Sequence, residues 1–151
     1  MLTEKLKEIV AQYNEPNPDI PIWKFVDGPT EWQNLGDYLE DQNEDWVVRK
    51  KYLLLLWKDR EHLIGEYSSV TGYSFTGEMI ISVRSKITDP TYSYKYETHI
   101  KNLYAESERL MNMASDCGGF EVKRWKDTEV IDQYDTNMDG LKISFTLEYT
   151  F

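Results

Sequence analysis

The last eleven residues of the chain, LKISFTLEYTF, alternate between apolar and polar side chains without interruption. The apolar positions are Leu141, Ile143, Phe145, Leu147, Tyr149 and Phe151. Because successive side chains of a β-strand point to opposite faces, this period of two predicts a strand over residues 141–151 with one buried face.

Two other segments have the spacing of amphipathic helices. Near the N-terminus the apolar positions are Leu2, Leu6, Ile9, Val10 and Tyr13, and two prolines follow them. The longer stripe, between Pro90 and the pair Gly118 and Gly119, consists of Tyr96, Ile100, Leu103, Tyr104, Ser107, Leu110, Met111 and Ala114. Since proline and glycine commonly flank helices, the patterns predict an N-terminal helix and a long second helix.

The remaining apolar segments indicate strands. KKYLLLLWK (50–58) is a continuous apolar run, typical of a strand covered on both faces, whereas EMIISVRSKI (78–87) alternates and predicts one wet side. Further strands are predicted at IWKFV (22–26), GFEVKRW (119–125) and TEVIDQY (128–134), the last pairing nearby or continuing the one before it.

The segment between the predicted strands 50–58 and 78–87, residues 59–77, is rich in Gly, Ser and Tyr and has no clean period. We interpret it as an extended hairpin arm or a loop, and long loops in compact domains are usually functional. A short irregular helix is predicted at residues 30–41. Together the elements predict an α+β fold in one domain, residues 1–151. Its mostly antiparallel sheet of four to five strands should carry the N-terminal helix and the long helix on one face.

The hexapeptide DTNMDG (135–140) matches the first half of a calcium-binding EF-hand loop, with Asp135, Asn137 and Asp139 in ligand positions and Gly140 in the turn position. An EF-hand loop leads into a helix and has a bidentate glutamate at position 12. Here a predicted strand follows, and position 12 is Thr146. The hexapeptide is therefore predicted to be a β-hairpin turn in which Asp-Gly supplies the positive φ, and no metal site is predicted.

The charge and the cysteine content of the chain limit the classes of partner and the cellular compartment that we expect. There are 27 acidic and 17 basic residues, a formal charge of −10, and residues 36–45 hold five of the acids and no base. Such a surface disfavours general binding to nucleic acid or anionic membrane. A single cysteine, Cys117, excludes an internal disulfide, and no signal peptide or membrane-spanning stretch is evident. We expect a soluble protein made in a reducing cytoplasm.

Residues that could carry chemistry are sparse. The histidines are His62 and His99, and a Cys-His pair with Cys117 stays open because sequence separation does not fix distance. Metal-binding spacings and phosphate-binding glycine motifs are absent from the sequence, so neither an enzyme nor a cofactor is predicted. Exposed aromatics on an extended segment commonly anchor a partner, which makes Tyr67, Tyr73 and Phe75 the predicted partner-binding residues.

From residue 78 onward the predicted elements are, in order, EMIISVRSKI, the helix YKYETHIKNLYAESERLMNMA, the strands GFEVKRW and TEVIDQY, the Asp-Gly turn and LKISFTLEYTF. In this order of elements the sequence resembles tail-terminator and tail-completion proteins of tailed bacteriophages. The resemblance covers residues 50–151 in pattern, with MLTEKLKEIVAQY as the amphipathic N-terminal helix. It implies a non-enzymatic virion protein, present in the host cytoplasm during assembly, that forms or joins a ring at the head-tail junction. Its implied partners are further copies of itself and neighbouring portal, connector or tail proteins, while DNA passes through the channel without specific binding.

Two other classes stay open at the level of the sequence. A small acidic cytoplasmic inhibitor or immunity-type protein would use residues 36–45 against a basic target. An enzyme would gather His62 or His99 with carboxylates in a concave pocket.

Overall fold

The computed structural model describes residues 2–15, 23–27, 51–84, 100–116, 118–133 and 138–151. These contain two helices and five strands. In chain order they are α1 (Leu2–Asn14), β1 (Trp23–Asp27), β2 (Lys51–Ile64), β3 (Val70–Arg84), α2 (Lys101–Asp116), β4 (Glu121–Gln133) and β5 (Met138–Thr150).

All five strands form one sheet in the order β1-β2-β3-β5-β4. β1 runs parallel to β2 and pairs with Lys51–Leu55 alone, whereas every other neighbouring pair is antiparallel. The predicted α+β class, with a mostly antiparallel sheet and two helices on one face, is confirmed. One parallel edge strand completes the four antiparallel strands.

The helices cover one face of the sheet, which we call the helix face. Their buried stripes pack on the inward residues of β2, β3 and β5 in the larger of two apolar cores. The stripe of α1 is the predicted one; it consists of Leu2, Leu6, Ile9, Val10 and Tyr13. The buried side of α2 likewise includes Leu103, Ser107, Leu110 and Ala114. Removing these surfaces from water is the main stabilising term of the fold.

A second core lies on the opposite face, which we call the outer face. It is formed by Tyr52, Leu54 and Ile80, with Leu56 and Val130 against it. The prediction that KKYLLLLWK is a strand covered on both faces is therefore confirmed for residues 52–55, whereas Trp57 and Lys58 are exposed. The predicted wet side of β3 is wrong near Ile80 and Ser82, because both are only 2% exposed.

A hydrogen-bonded group fixes α2 to β4. Ser107 Oγ, fully buried, donates to Asp127 Oδ1 at 2.6 Å and accepts a bond from the Trp125 indole N–H at 2.9 Å. The end of the helix is set by Gly119, whose φ of +73° suits glycine, and Phe120 N–H donates to the Ala114 carbonyl. The predicted glycine stop is confirmed.

The strands decide two alternatives that the sequence left open and correct one prediction. Residues 59–77 are a hairpin arm rather than a loop, since β2 extends to Ile64 and β3 begins at Val70. TEVIDQY continues the strand before it as the single strand β4, whose register shifts between Val122 and Arg124 and after Val130. Asp-Gly does not form the hairpin turn, because Gly140 lies within β5 and pairs with Ser82.

Several predicted features lie outside the described residues. They are the helix at 30–41, the acidic run 36–45, His99, Cys117 and residues 134–137, which include Asp135 and Asn137. The segment that follows DTNMDG is nevertheless a strand rather than a helix, as predicted.

Candidate partner-binding surface

The hairpin of β2 and β3 extends well beyond the end of β1. Its five-residue connection is closed by bonds from Gly65 N–H to the Ser69 carbonyl and from Ser69 N–H to the Glu66 carbonyl. Ser69 Oγ donates to the same Glu66 carbonyl at 2.8 Å. The connection is therefore a fixed turn at the end of the sheet.

The centre of this turn has an unfavourable backbone. Tyr67 has φ 58° and ψ 29°, and Ser68 has φ 60°, both in the left-handed region. Two such residues between Glu66 and Ser69 give the pattern of a type I′ turn, which normally takes Asn-Gly because other side chains clash with the backbone there. Each non-glycine residue in this region costs about 1–2 kcal/mol.

The hairpin tip also exposes apolar surface. Tyr67 is 97% exposed, Ile64 is 60% exposed, and Val70 lies beside them, also exposed. We call Ile64, Tyr67 and Val70 the tip patch. A large aromatic side chain held almost entirely in water, on a turn that its residue type disfavours, is the kind of feature that marks a contact site.

Aromatic rings continue from the tip toward the larger core on the helix face. Tyr73 contacts the exposed ring of Phe151 edge-on at 5.3 Å between centroids, and His62 at 5.4 Å. Phe75 contacts Phe120 at 6.0 Å deeper in the core. Such offset and edge-on arrangements favour the ring quadrupoles and hold the base of the hairpin rigid.

The three predicted partner-binding residues have different positions. Tyr67 is at the tip and Tyr73 is half-buried at its base, whereas Phe75 is 3% exposed and is a core residue. Phe75 is therefore unavailable to a partner, because it lies on the face of β3 that is directed toward the helices. This inward position was not evident from the sequence, because residues 59–77 have no clean period. Ile64 and Val70 were not predicted to bind a partner. The alternation of β5 predicted a buried Phe151, which is wrong, because this residue is 70% exposed.

Besides the outer edge of β1, two strand edges have unused pairing capacity among the described residues. β1 covers β2 up to Leu55, so the outer edge of β2 from Trp57 to His62 has no neighbour there. β4 pairs with β5 alone. We call these the β2 edge (57–62) and the β4 edge (122–129). Uncovered strand edges are templates for further strand pairing.

Charge–charge contacts on the described surface are mostly local. Glu78 lies between the Trp57 indole and Lys142 Nζ, at 2.8 and 3.3 Å, and the indole hydrogen bond in particular lowers the pKa of its carboxyl. The hydrogen bond to Glu121 raises the pKa of Lys123. Both shifts are thus caused mainly by hydrogen bonds with neighbouring side chains of the sheet.

Little in the described part of the chain points to reaction chemistry. His62 is exposed and contacts Tyr73, while Ser107 and Asp127 are occupied in packing α2 on β4. A search of the described residues for three or more clustered metal-ligating side chains gave none. Within the same residues, no helix is long and apolar enough to cross a membrane.

Comparison with protein-family models and with curated proteins gave no match.

Proposed function

We propose that the chain is a structural protein of a tailed bacteriophage that forms or joins an oligomeric ring at the head-tail junction. Its action would be interfacial: each copy binds the next copy and the neighbouring portal, connector or tail proteins, and DNA passes without specific binding. The net charge of −10 suits such a channel, because a negative wall does not retain DNA phosphates.

The observation that carries the proposal is the tip patch. Tyr67 is almost fully exposed, and its left-handed backbone conformation reduces the stability of the folded chain. Docking of the Tyr67 side chain into a neighbouring protein would bury its apolar area and offset the free-energy cost of the left-handed backbone. Tyrosine is also among the residues that dominate measured interface energies.

The architecture gives further support. A ring needs a heterologous contact, in which one patch of a subunit binds a different patch of the next. The hairpin tip and the two strand edges provide distinct surfaces on one rigid sheet. The order of elements is also the order on which the resemblance to tail-terminator and tail-completion proteins is based.

Locating the chain in particles tests the proposal. Mass spectrometry of purified particles made from the genome that encodes the chain should find it at a fixed copy number, and cryo-electron microscopy should place it in a ring between head and tail. Absence from the particles would overturn the proposal. A stable monomer that binds a basic cellular protein would instead favour the inhibitor class.

A further inference from the structure

The direction of the backbone groups along β2 follows from one hydrogen bond at the end of the sheet. Phe151 N–H donates to the Thr71 carbonyl at 3.0 Å, so this carbonyl is directed to β5. Alternate residues of an antiparallel strand bond to opposite neighbours, and the next residue, Gly72, therefore bonds to β2. Gly72 is paired with Leu63, so Leu63 is a residue whose backbone bonds to β3.

The β2 edge consequently has unused backbone groups at every second residue. The register with β3 has no shift between Trp57 and Leu63, so residues at intervals of two from Leu63 bond to β3. The N–H and C=O groups of Lys58, Arg60 and His62, which lie between them, point outward. Nothing in the described part of the chain bonds to these outward groups. They offer donors and acceptors in the phase that a further antiparallel strand requires.

The open part of this edge accommodates a short strand only. β1 occupies the same side of β2 up to Leu55, which is paired with Asp27. A strand that ends opposite Trp57 does not overlap β1, and its central residues then lie opposite 58–62. Strands of about five to six residues are the common length in proteins. The edge is therefore long enough for an extended peptide segment.

The charges on the β2 edge are sorted by face. Lys58 lies on the helix face, where its ammonium donates to Thr3 Oγ1 at 2.6 Å, and Arg60 lies on the same face. Asp59 and Glu61 alternate with them and lie on the outer face. The edge is therefore basic on the helix face and acidic on the outer face.

The acidic side chains of the edge are not used within the subunit. Asp59 and Glu61 are exposed, and no ion pair among the described residues includes either of them. Arg60 likewise has no carboxylate partner in that part of the chain. A partner can therefore pair with these charges without the loss of an existing ion pair.

This sorting disfavours pairing of the β2 edge with the same edge of a second copy. Two identical antiparallel strands place side chains of the same face opposite one another, so bases would meet bases and acids would meet acids. Like charges in directly opposite positions are destabilising. An edge with one sign of charge repels strands in general, but this edge has both signs and repels only a strand whose alternation matches its own. It therefore favours a strand with the opposite alternation.

We propose that the β2 edge binds an extended segment of a partner protein as an added antiparallel strand, with acidic side chains on the helix face and basic side chains on the outer face. The acidic residues lie opposite Lys58 and Arg60, where each makes backbone hydrogen bonds and an ion pair. The basic residues lie opposite Asp59 and Glu61, in the narrow pairs where side chains are closest. The inference goes beyond the proposed ring and does not rest on it.

A peptide titration tests this binding. The isotope-labelled full-length chain is titrated with the end-capped peptide TEKEKET and followed by amide NMR. We expect the shifts to be concentrated at residues 58–62. The peptide TEEKKET has the same composition without the alternation and should bind about fivefold more weakly, because its acids and bases are mixed on each face. Equal binding of the two peptides, or shifts confined to other residues, would overturn the inference.

N-methylation of the peptide separates backbone bonding from charge attraction. In the antiparallel ladder the glutamates of TEKEKET exchange hydrogen bonds with Lys58, Arg60 and His62, whereas the lysine amides point away from β2. Methyl groups on the glutamate nitrogens should abolish binding, and methyl groups on the lysine nitrogens should leave the affinity within about twofold. The reverse result would refute the antiparallel ladder. Binding that survives both modifications would refute strand addition.

A change of charge on the outer face provides an independent measurement. Asp59→Lys combined with Glu61→Lys makes both faces of the edge basic, so it should weaken binding of TEKEKET about fivefold and strengthen binding of the all-acidic TEEEEET by a similar factor. The control, Glu15→Lys with Glu108→Lys, changes the net charge equally at exposed positions outside the sheet and should alter neither affinity by more than about twofold.

The same effect in the control and in the edge variant would overturn the inference, because it would show a response to net charge alone. These measurements use no particles. Failure of the peptide to bind would therefore refute the edge site and leave the ring proposal standing, whereas absence of the chain from particles would refute the ring proposal alone.

Discussion

The Trp57 indole N–H donates to Glu78 Oε1 at 2.8 Å, linking adjacent strands on the outer face. This bond, aided by Lys142, holds the pKa of Glu78 below its usual 4.5. The folded pKa is therefore lower than the unfolded one, so the contribution to stability is present above about pH 4.5 and is lost as the pH falls through the folded pKa.

In the wild type the melting temperature should fall as the pH is lowered from 5 through the folded pKa of Glu78. We expect this fall to be smaller in Glu78→Gln, because glutamine does not titrate. Trp57→Phe should also reduce this fall in melting temperature, because it removes the indole hydrogen bond that lowers the pKa of Glu78 most. Differential scanning fluorimetry across the pH series measures both. A wild-type acid profile in Glu78→Gln would contradict the assignment of this effect to Glu78.

The type I′ turn predicts a conflict between stability and binding. Replacing Tyr67 and Ser68 with Asn and Gly removes two disfavoured left-handed residues, which should raise the free energy of unfolding by about 1–2 kcal/mol. Urea titration measures the gain. Tyr67→Ala is the matched control, since it removes the ring without relieving the backbone and should give no comparable stabilisation.

The same variants should lose assembly if the tip patch is a contact site. Both the Asn-Gly variant and Tyr67→Ala remove the exposed ring, and we expect each to reduce incorporation into particles at least tenfold. Normal incorporation of both variants would show that the Tyr67 ring is not used.

Ser107 is expected to be the most sensitive polar residue of α2. Ser107→Ala leaves Asp127 and the Trp125 indole without the hydroxyl that joins them, and an unsatisfied buried polar group costs about 1–3 kcal/mol. Ser115→Ala, on the exposed side of the same helix, should change stability by about 0.5 kcal/mol at most. Equal urea midpoints for the two variants would contradict a structural role for the Ser107 hydroxyl.

The elements with regular side-chain periods were predictable from the sequence. The stripe of α1 matches its buried set, and the alternation of β5 matches at Leu141, Ile143, Phe145 and Leu147, because one face of each element must leave water. The sequence did not distinguish a hairpin from a loop over residues 59–77, because Gly72 and Gly77 resemble chain breakers. Both lie within β3, where a Cβ would overlap the Tyr149 and Trp57 carbonyls respectively.

The candidate site was only partly predictable for a related reason. Local sequence identified Tyr67 as an aromatic on an extended segment, but its left-handed backbone depends on the length of the hairpin connection. The open strand edges depend on which strands end the sheet, and that order is a tertiary property.

Gly140 provides the sharpest test of the corrected hairpin. Within β5, a side chain there would overlap the Ile81 carbonyl and crowd Ser82, so Gly140→Asn should lower the free energy of unfolding by about 1–3 kcal/mol. In a type I′ turn, asparagine would be readily accommodated, because it tolerates positive φ. Urea titration beside the exposed Thr150→Ala control distinguishes the two. If Gly140→Asn left the free energy of unfolding nearly unchanged, the result would support the Asp-Gly turn and a start of β5 after Gly140.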